Sequence, residues 1–393
     1  MTCYLPKYSG RKFHAALRLL ALSCITLLLG NAAVPAAFAS STEDGSRSPF
    51  DWKMDRPEAH GFSSAKLDAL RDDLAARKTK IFLLIRDDRI LYEWYAPDFP
   101  ANRRHYTASA AKAIVGGVAC ATAMDLVPLD LDERASKYIP GWRDDPRKSM
   151  ITLRQLGSHT SGLSDAENHS AKPVGWMAEF WKRLPPPRDS FTLSRDVAPL
   201  VSTPGEEFHY SNPGIAMFGY AITAALQAAP QKDLRSLLRE RVMSPIGLTD
   251  SDWDCGYGET VELNGLPLIG TWGGGAFTGR AAARVGRLML REGNWDGKQL
   301  IRAESIRRTT SDSGLPGAVN CGWWTNGQNR VPALPRDAFW AAGAGGQTLL
   351  IVPSMRLIMV RNGDRLSSEQ NDDALSKYVF TPLMQTRLPA KQP

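Results

Sequence analysis

The sequence predicts an α/β protein of the α+β kind: one antiparallel sheet drawn from both chain ends, covered by helices, plus a helical subdomain. Three observations lead there. Short apolar runs bounded by turn residues occur in the first hundred residues and again beyond residue 335. The chain between them reads mostly as helices and long loops. Finally, about 350 residues remain once a leader is set aside, more than one core usually organises.

The elements follow in order. Residues 1–39 carry Lys7, Arg11, Lys12 and Arg18 with no acid, then an apolar run from Leu19 to Leu29, then Ala37-Phe38-Ala39 before Ser40. This pattern predicts a secretory signal peptide, so the mature chain is expected in the periplasm or outside the cell. The run is short for a membrane span, and no second long apolar run follows, so no membrane is expected to hold the mature form. Residues 40–50 read as a small polar linker, and residues 51–386 as the folded domain. Within it, Ser64 to Arg77 predicts an amphipathic helix with Leu67, Leu70 and Leu74 on one face and Ser63 as its cap. Ile81 to Ile85 and Ile90 to Tyr95, separated by Asp87-Asp88, predict a hairpin. The sheet part spans about 51–105 and 320–386, and the helical part about 106–319. In the latter, a helix opens at Ser109 and another runs from Ile215 to Leu226. Strands are expected at Phe339 to Gly343, Thr348 to Val352 and Leu357 to Arg361, and a closing helix from Asp372 to about Leu383. A cleft is expected where the two parts meet, with the start of the Ser109 helix opening into it.

Charge and cysteines narrow the function. The chain is formally +7, but four of those charges lie in the leader, leaving 44 basic against 41 acidic residues. Without a dense basic cluster, nucleic acid is not an expected partner. Of the three cysteines beyond the leader, Cys120 lies in the apolar helix as a buried thiol, which makes Cys255 with Cys321 the candidate disulfide. The six histidines form no H-E-x-x-H and the cysteines no C-x-x-C, so no metal site is expected.

The chemistry is carried by Ser109-Ala110-Ala111-Lys112 and, a hundred positions on, Tyr210-Ser211-Asn212. A serine hydroxyl is a poor nucleophile at its own pKa and needs a base within hydrogen-bond reach. Positions i and i+3 of a helix put Lys112 on the face of Ser109. Ser-x-x-Lys alone is weak, since Ser9 with Lys12 and Ser63 with Lys66 repeat it. The copy at Ser109 differs because the residues from Ala113 to Ala121 are apolar all round, which buries the helix and carries Lys112 into a site that disfavours its charge. The alternative is a buried Lys112 paired with a carboxylate, with Ser109 as a helix cap. Tyr210 supplies the phenol that completes a proton relay, or else packs the turn before Pro213-Gly214. A Ser-His-Asp triad is disfavoured: the chain has no G-x-S-x-G. His159 reads as a hydrogen bonder that orders its loop, and His209 as a residue near the cleft. Trp323, Trp324 and Trp340 are either an aromatic wall for an acyl group or core.

From about Trp52 to Leu383 these residues resemble the serine β-lactamase and penicillin-binding-protein superfamily, in its class C-like branch. Ile151 to Leu156 with His159-Thr160-Ser161-Gly162-Leu163 resembles the stretch after the nucleophile helix, and Gly273 to Thr278 the glycine-rich loop. The spacing from Ser109 to Tyr210, and Ala342 to Gln347, are similar to 6-aminohexanoate-dimer hydrolases and family VIII esterases. The resemblance implies a β-lactamase/transpeptidase-like fold, Ser109 as the acylated nucleophile, and Lys112 and Tyr210 sharing base and acid work. It also implies Asn212, Ala341 and Gly343 on the substrate side, and an oxyanion hole from the N–H groups of Ser109 and Ala344. Where the family carries Lys-Thr-Gly, this chain has Ala341-Ala342-Gly343, without the cation that grips a β-lactam carboxylate. The expectation is therefore a cofactor-free hydrolase of small-molecule esters or linear amides. The alternatives are a β-lactamase or D-amino-acid peptidase, or a slow-acylating penicillin-binding module. Oligomeric state is not legible.

Overall fold

The computed structural model describes residues 50–167, 172–367 and 371–389. The predicted signal peptide, and the linker apart from Phe50, lie outside the described residues. Strands β1 (Lys53–Met54), β2 (Thr79–Arg86) and β3 (Arg89–Tyr95) come from the start of the domain. The β2–β3 turn is made by Asp87 and Asp88, both left-handed at φ 53° and 58°. Two consecutive residues of this kind give the turn whose twist matches the flanking strands. Helix α1 (Ser64–Ala76) begins where the Ser63 hydroxyl accepts the Lys66 N–H, and it buries Leu67, Leu70 and Leu74.

The end of the chain adds β4 (Val319–Asn320), β5 (Trp323–Thr325), β6 (Phe339–Gly343), β7 (Gln347–Val352) and β8 (Leu357–Gly363). The sheet order is β1-β3-β2-β8-β7-β6-β5-β4, so the two ends join at β2 and β8, where Ile85 faces Ile358. Every neighbour is antiparallel except β1 and β3, which run parallel at the edge, so the sheet is mixed rather than purely antiparallel.

Both faces of this sheet are covered. Ile81, Leu83, Ile85, Ile351 and Ile358 join the core of the helical part, while Phe82, Leu84, Leu350, Leu357 and Met359 pack with Leu67, Leu74 and the closing helix residues Val379, Phe380 and Leu383. Burial on both sides explains why the strands read as continuous apolar runs. The same alternation overturns the aromatic wall. Trp323 enters one core while Trp324 and Trp340 enter the other, because neighbours on a strand point to opposite faces.

The predicted disulfide is also corrected. Cys255 and Cys321 are free, buried thiols, and the thiol beside Cys321 is that of Cys120. Among the described residues no helix is long and apolar enough to cross a membrane.

Candidate active site

The helix carrying Ser109 begins irregularly. Ala108, immediately before it, has φ 47°, an uncommon conformation for a residue with a Cβ. A tight turn over Ala108–Ala110 then widens into π-helical turns over Lys112–Gly117 before regular helix resumes at Val118–Ala123. Such widened turns recur at functional sites. Every residue from 110 to 123 is buried, as the apolar composition requires, and Ser109 is half-buried at the end that opens outward.

Lys112 is 2% exposed, and its amine reaches three uncharged oxygens. Nζ lies 3.0 Å from Ser109 Oγ, 2.8 Å from Asn212 Oδ1 and 2.6 Å from the Trp272 carbonyl. The predicted alternative, Lys112 bonded to a carboxylate, is not what these contacts show. Burial holds its pKa down to about 7, against the opposing pull of Asp165 and Glu167. A neutral amine here donates two N–H groups to Asn212 and Trp272, and its lone pair is left for the Ser109 hydroxyl.

The Tyr210 ring centroid lies 4.9 Å from Lys112 Nζ, and the ring stacks on His159 at 4.4 Å. His159 orders this loop as expected. Its Nδ1 accepts the Ser211 N–H at 3.1 Å and its carbonyl accepts the His209 N–H at 2.8 Å. Burial, then the charge of Lys112, push its pKa down to about 3, so it stays neutral. His209 itself is partly exposed and pairs with Glu207 at 2.9 Å. Ser211 caps the Asn212–Ala225 helix by accepting the Gly214 N–H, which fixes Asn212 at its first turn.

The end of β6 closes the other side. A Cβ added to Gly343 would sit 2.2 Å from the Thr107 carbonyl and 3.0 Å from Ser109 N, so glycine alone lets the strand lie against Ser109. This contact sets the end of β6 against the backbone of Thr107, Ser109 and Ala110. The following turn is held by the buried Arg361, whose Nη1 donates to the Gly345 carbonyl at 2.6 Å and whose Nε donates to Thr79 Oγ1 at 2.9 Å. Ala341, in contrast, is fully buried, with its methyl in the core. Gly275 completes the wall: its carbonyl accepts both the N–H and the hydroxyl of Thr107.

The structure thus brings Ser109, Lys112, Tyr210 and Asn212 together, with Gly343 against the serine. Sequence reasoning missed Trp272 and Asp165. Trp272 acts through a carbonyl, which any residue type supplies, although its position just before Gly273 was a signal. Asp165 follows the His159 to Leu163 stretch by two residues, and its Oδ1 accepts from both Asn212 N and Asn212 Nδ2.

A mixed sheet with a buried lysine beside a serine at the mouth of a buried helix defines a hydrolase of the serine β-lactamase-related class. The family itself is shown by a match over residues 68–380: the chain belongs to the Beta-lactamase family. It is 23% identical over 324 residues to the 6-aminohexanoate-dimer hydrolase of Paenarthrobacter ureafaciens, covering 76% of each chain. Its fold is similar to that of a family VIII carboxylesterase, with a TM-score of 0.58, 18% identity and coverage of 83% of this chain and 98% of the other. A penicillin-binding protein homolog from Caulobacter crescentus is similar at a TM-score of 0.58 and 16% identity, over 82% and 99% of the two chains.

Proposed function

We propose that this chain is an exported hydrolase that cleaves a small-molecule ester or linear amide through an acyl-enzyme on Ser109. The observation that carries the reading is the 3.0 Å contact between Lys112 Nζ and Ser109 Oγ, with the other two amine directions occupied by Asn212 and Trp272. Neutral Lys112 takes the Ser109 proton as Oγ bonds to the substrate carbonyl carbon. The N–H groups of Ser109 and Ala344 hold the resulting oxyanion. The bond to the leaving group breaks, and Tyr210 relays a proton to the departing oxygen or nitrogen. Water then attacks the Ser109 ester, releasing the acid and restoring the hydroxyl.

The substrate class is supported by the apolar Ala341-Ala342-Gly343 strand end, which offers no cation to a β-lactam carboxylate, and by the similarity to a 6-aminohexanoate-dimer hydrolase and a family VIII carboxylesterase. Export is supported by the charge and apolar pattern of residues 1–39. The test is a panel of chromogenic short-chain esters, linear amides, D-peptides and a cephalosporin, run on wild type and Ser109→Ala. Ester or amide turnover lost in Ser109→Ala, with an unchanged melting profile, is the expected result. Activity retained in that variant would refute the assignment, and cephalosporin turnover rivalling that of esters would reverse the substrate order.

A further inference from the structure

Asp165 belongs to neither motif, yet its Oδ1 accepts three N–H groups: Ala166 N at 2.8 Å, Asn212 N at 2.8 Å and Asn212 Nδ2 at 3.0 Å. Its Oδ2 is buried without a hydrogen-bond partner among the described residues. An amide side chain can present either end to a neighbour, but a carboxylate only accepts. Nδ2 of Asn212 must therefore face Asp165, which turns Oδ1 to Lys112. A continuous path results: 3.0 Å from Asp165 to Asn212, 2.8 Å from Asn212 to Lys112 and 3.0 Å from Lys112 to Ser109.

We propose that Asp165 is a positioning residue for the reaction: it locks the Asn212 amide with its oxygen towards Lys112 and places a negative charge one amide away from that amine. The proposal rests on the reading of Lys112 as the base for Ser109. The groups that face Lys112 are few. Ser109 lies on its own helix, Asn212 on the facing helix, and the Trp272 carbonyl on the glycine-rich side. Tyr210 presents its ring, and His159 behind it is neutral. Among the described residues the two charges that bear on the amine are Asp165, the stronger, and Glu167, and both favour the ammonium. Removing the charge of Asp165 therefore makes neutral Lys112 available at lower pH.

The experiment is the pH profile of kcat/KM on p-nitrophenyl acetate for wild type, Asp165→Asn, Asn212→Ala and the double variant, with a thermal melt of each. Asp165→Asn is expected to move the acid limb down by about one pH unit and to lower the plateau about tenfold as the Asn212 amide loses its fixed orientation. In the Asn212→Ala background the same change is expected to move the limb but to lower the plateau less than about threefold, since no amide remains to orient. A residue that merely holds the loop would scale kcat/KM equally at all pH values and leave the limb in place. An unmoved limb in Asp165→Asn, with wild-type labelled at Ser109 by a fluorophosphonate in intact-mass measurement, overturns the proposal alone. Absence of that labelling in wild type overturns the acyl-enzyme reading and the proposal with it.

Discussion

The carbonyl oxygen of Trp272 accepts a hydrogen bond from Lys112 Nζ at 2.6 Å, across 160 positions of sequence. Together with Asn212 Oδ1 at 2.8 Å it fixes two of the three amine directions, so the third is aimed at Ser109, with no charged neighbour in contact among the described residues. A lysine held by neutral acceptors in a buried site sheds its proton far more readily than one held by a carboxylate. This is the physical distinction between a structural lysine and a candidate base.

The first consequence is a pH profile. Burial brings Lys112 down to about 7, and the neutral amine is the form that accepts a proton. For a neutral ester, kcat/KM is expected to rise with pH through a single limb centred near that value and then level off. His159, held near 3, does not contribute to the limb, so His159→Phe should leave its position unchanged. Stopped-flow measurement of ester hydrolysis from pH 5 to 9 checks both statements.

Stability should carry the same signature with a defined sign. The ordinary lysine value is 10.5 and the folded value is about 7, so between them the unfolded chain binds more protons than the folded one. Unfolding free energy then rises with pH across that window, and the burial cost is greatest below it. Lys112→Met removes the effect. Between pH 6 and 10 wild type is expected to gain on that variant by on the order of 4 kcal/mol, read from urea unfolding at each pH. Parallel pH dependence of the two proteins would contradict it.

Gly343→Ala tests the contact between β6 and the Ser109 helix. A methyl 2.2 Å from the Thr107 carbonyl must push β6 away from the Ser109 helix. Overpacking of this kind costs about 1 to 3 kcal/mol of stability. Ester turnover is expected to fall further, about 100-fold, because the two proposed oxyanion donors, the N–H groups of Ser109 and Ala344, would separate. Calorimetry and steady-state kinetics on one preparation distinguish the two effects.

His159→Phe keeps a ring to stack on Tyr210 but leaves the buried Ser211 N–H without its acceptor. The expected loss is about 1 to 3 kcal/mol of stability, measured by chemical unfolding.

Much of this was legible in the sequence, for physical reasons that differ by element. The β2–β3 hairpin and α1 are governed by local signals, two turn aspartates and leucines at helical spacing. The Ser109 helix is legible because an all-round apolar helix must be buried, and its lysine with it. What was missed depends on contacts between distant segments. The Trp272 carbonyl has no side-chain signature, and Asp165 is one of 41 acidic residues until Asn212 is placed against it. The misread pairing of Cys255 with Cys321 has the same origin: cysteine counts carry no distances, and the fold set Cys120 beside Cys321 instead. Trp323 and Trp324 were grouped because they adjoin in sequence, whereas the strand sends them to opposite cores.

The joining of β2 to β8 also governs when the sheet can close. Ser109 and Lys112 lie in the first third of the chain, but Gly343 and Arg361 arrive only with its last fifth. During synthesis the first hairpin must wait, with one edge unpaired, for a partner strand about 270 residues later. Pairings of such separation form slowly. A chain ending before Leu357 would hold Ser109 and Lys112 yet lack the strand that joins the two ends of the sheet, so the frame around that pair closes only when β8 is added.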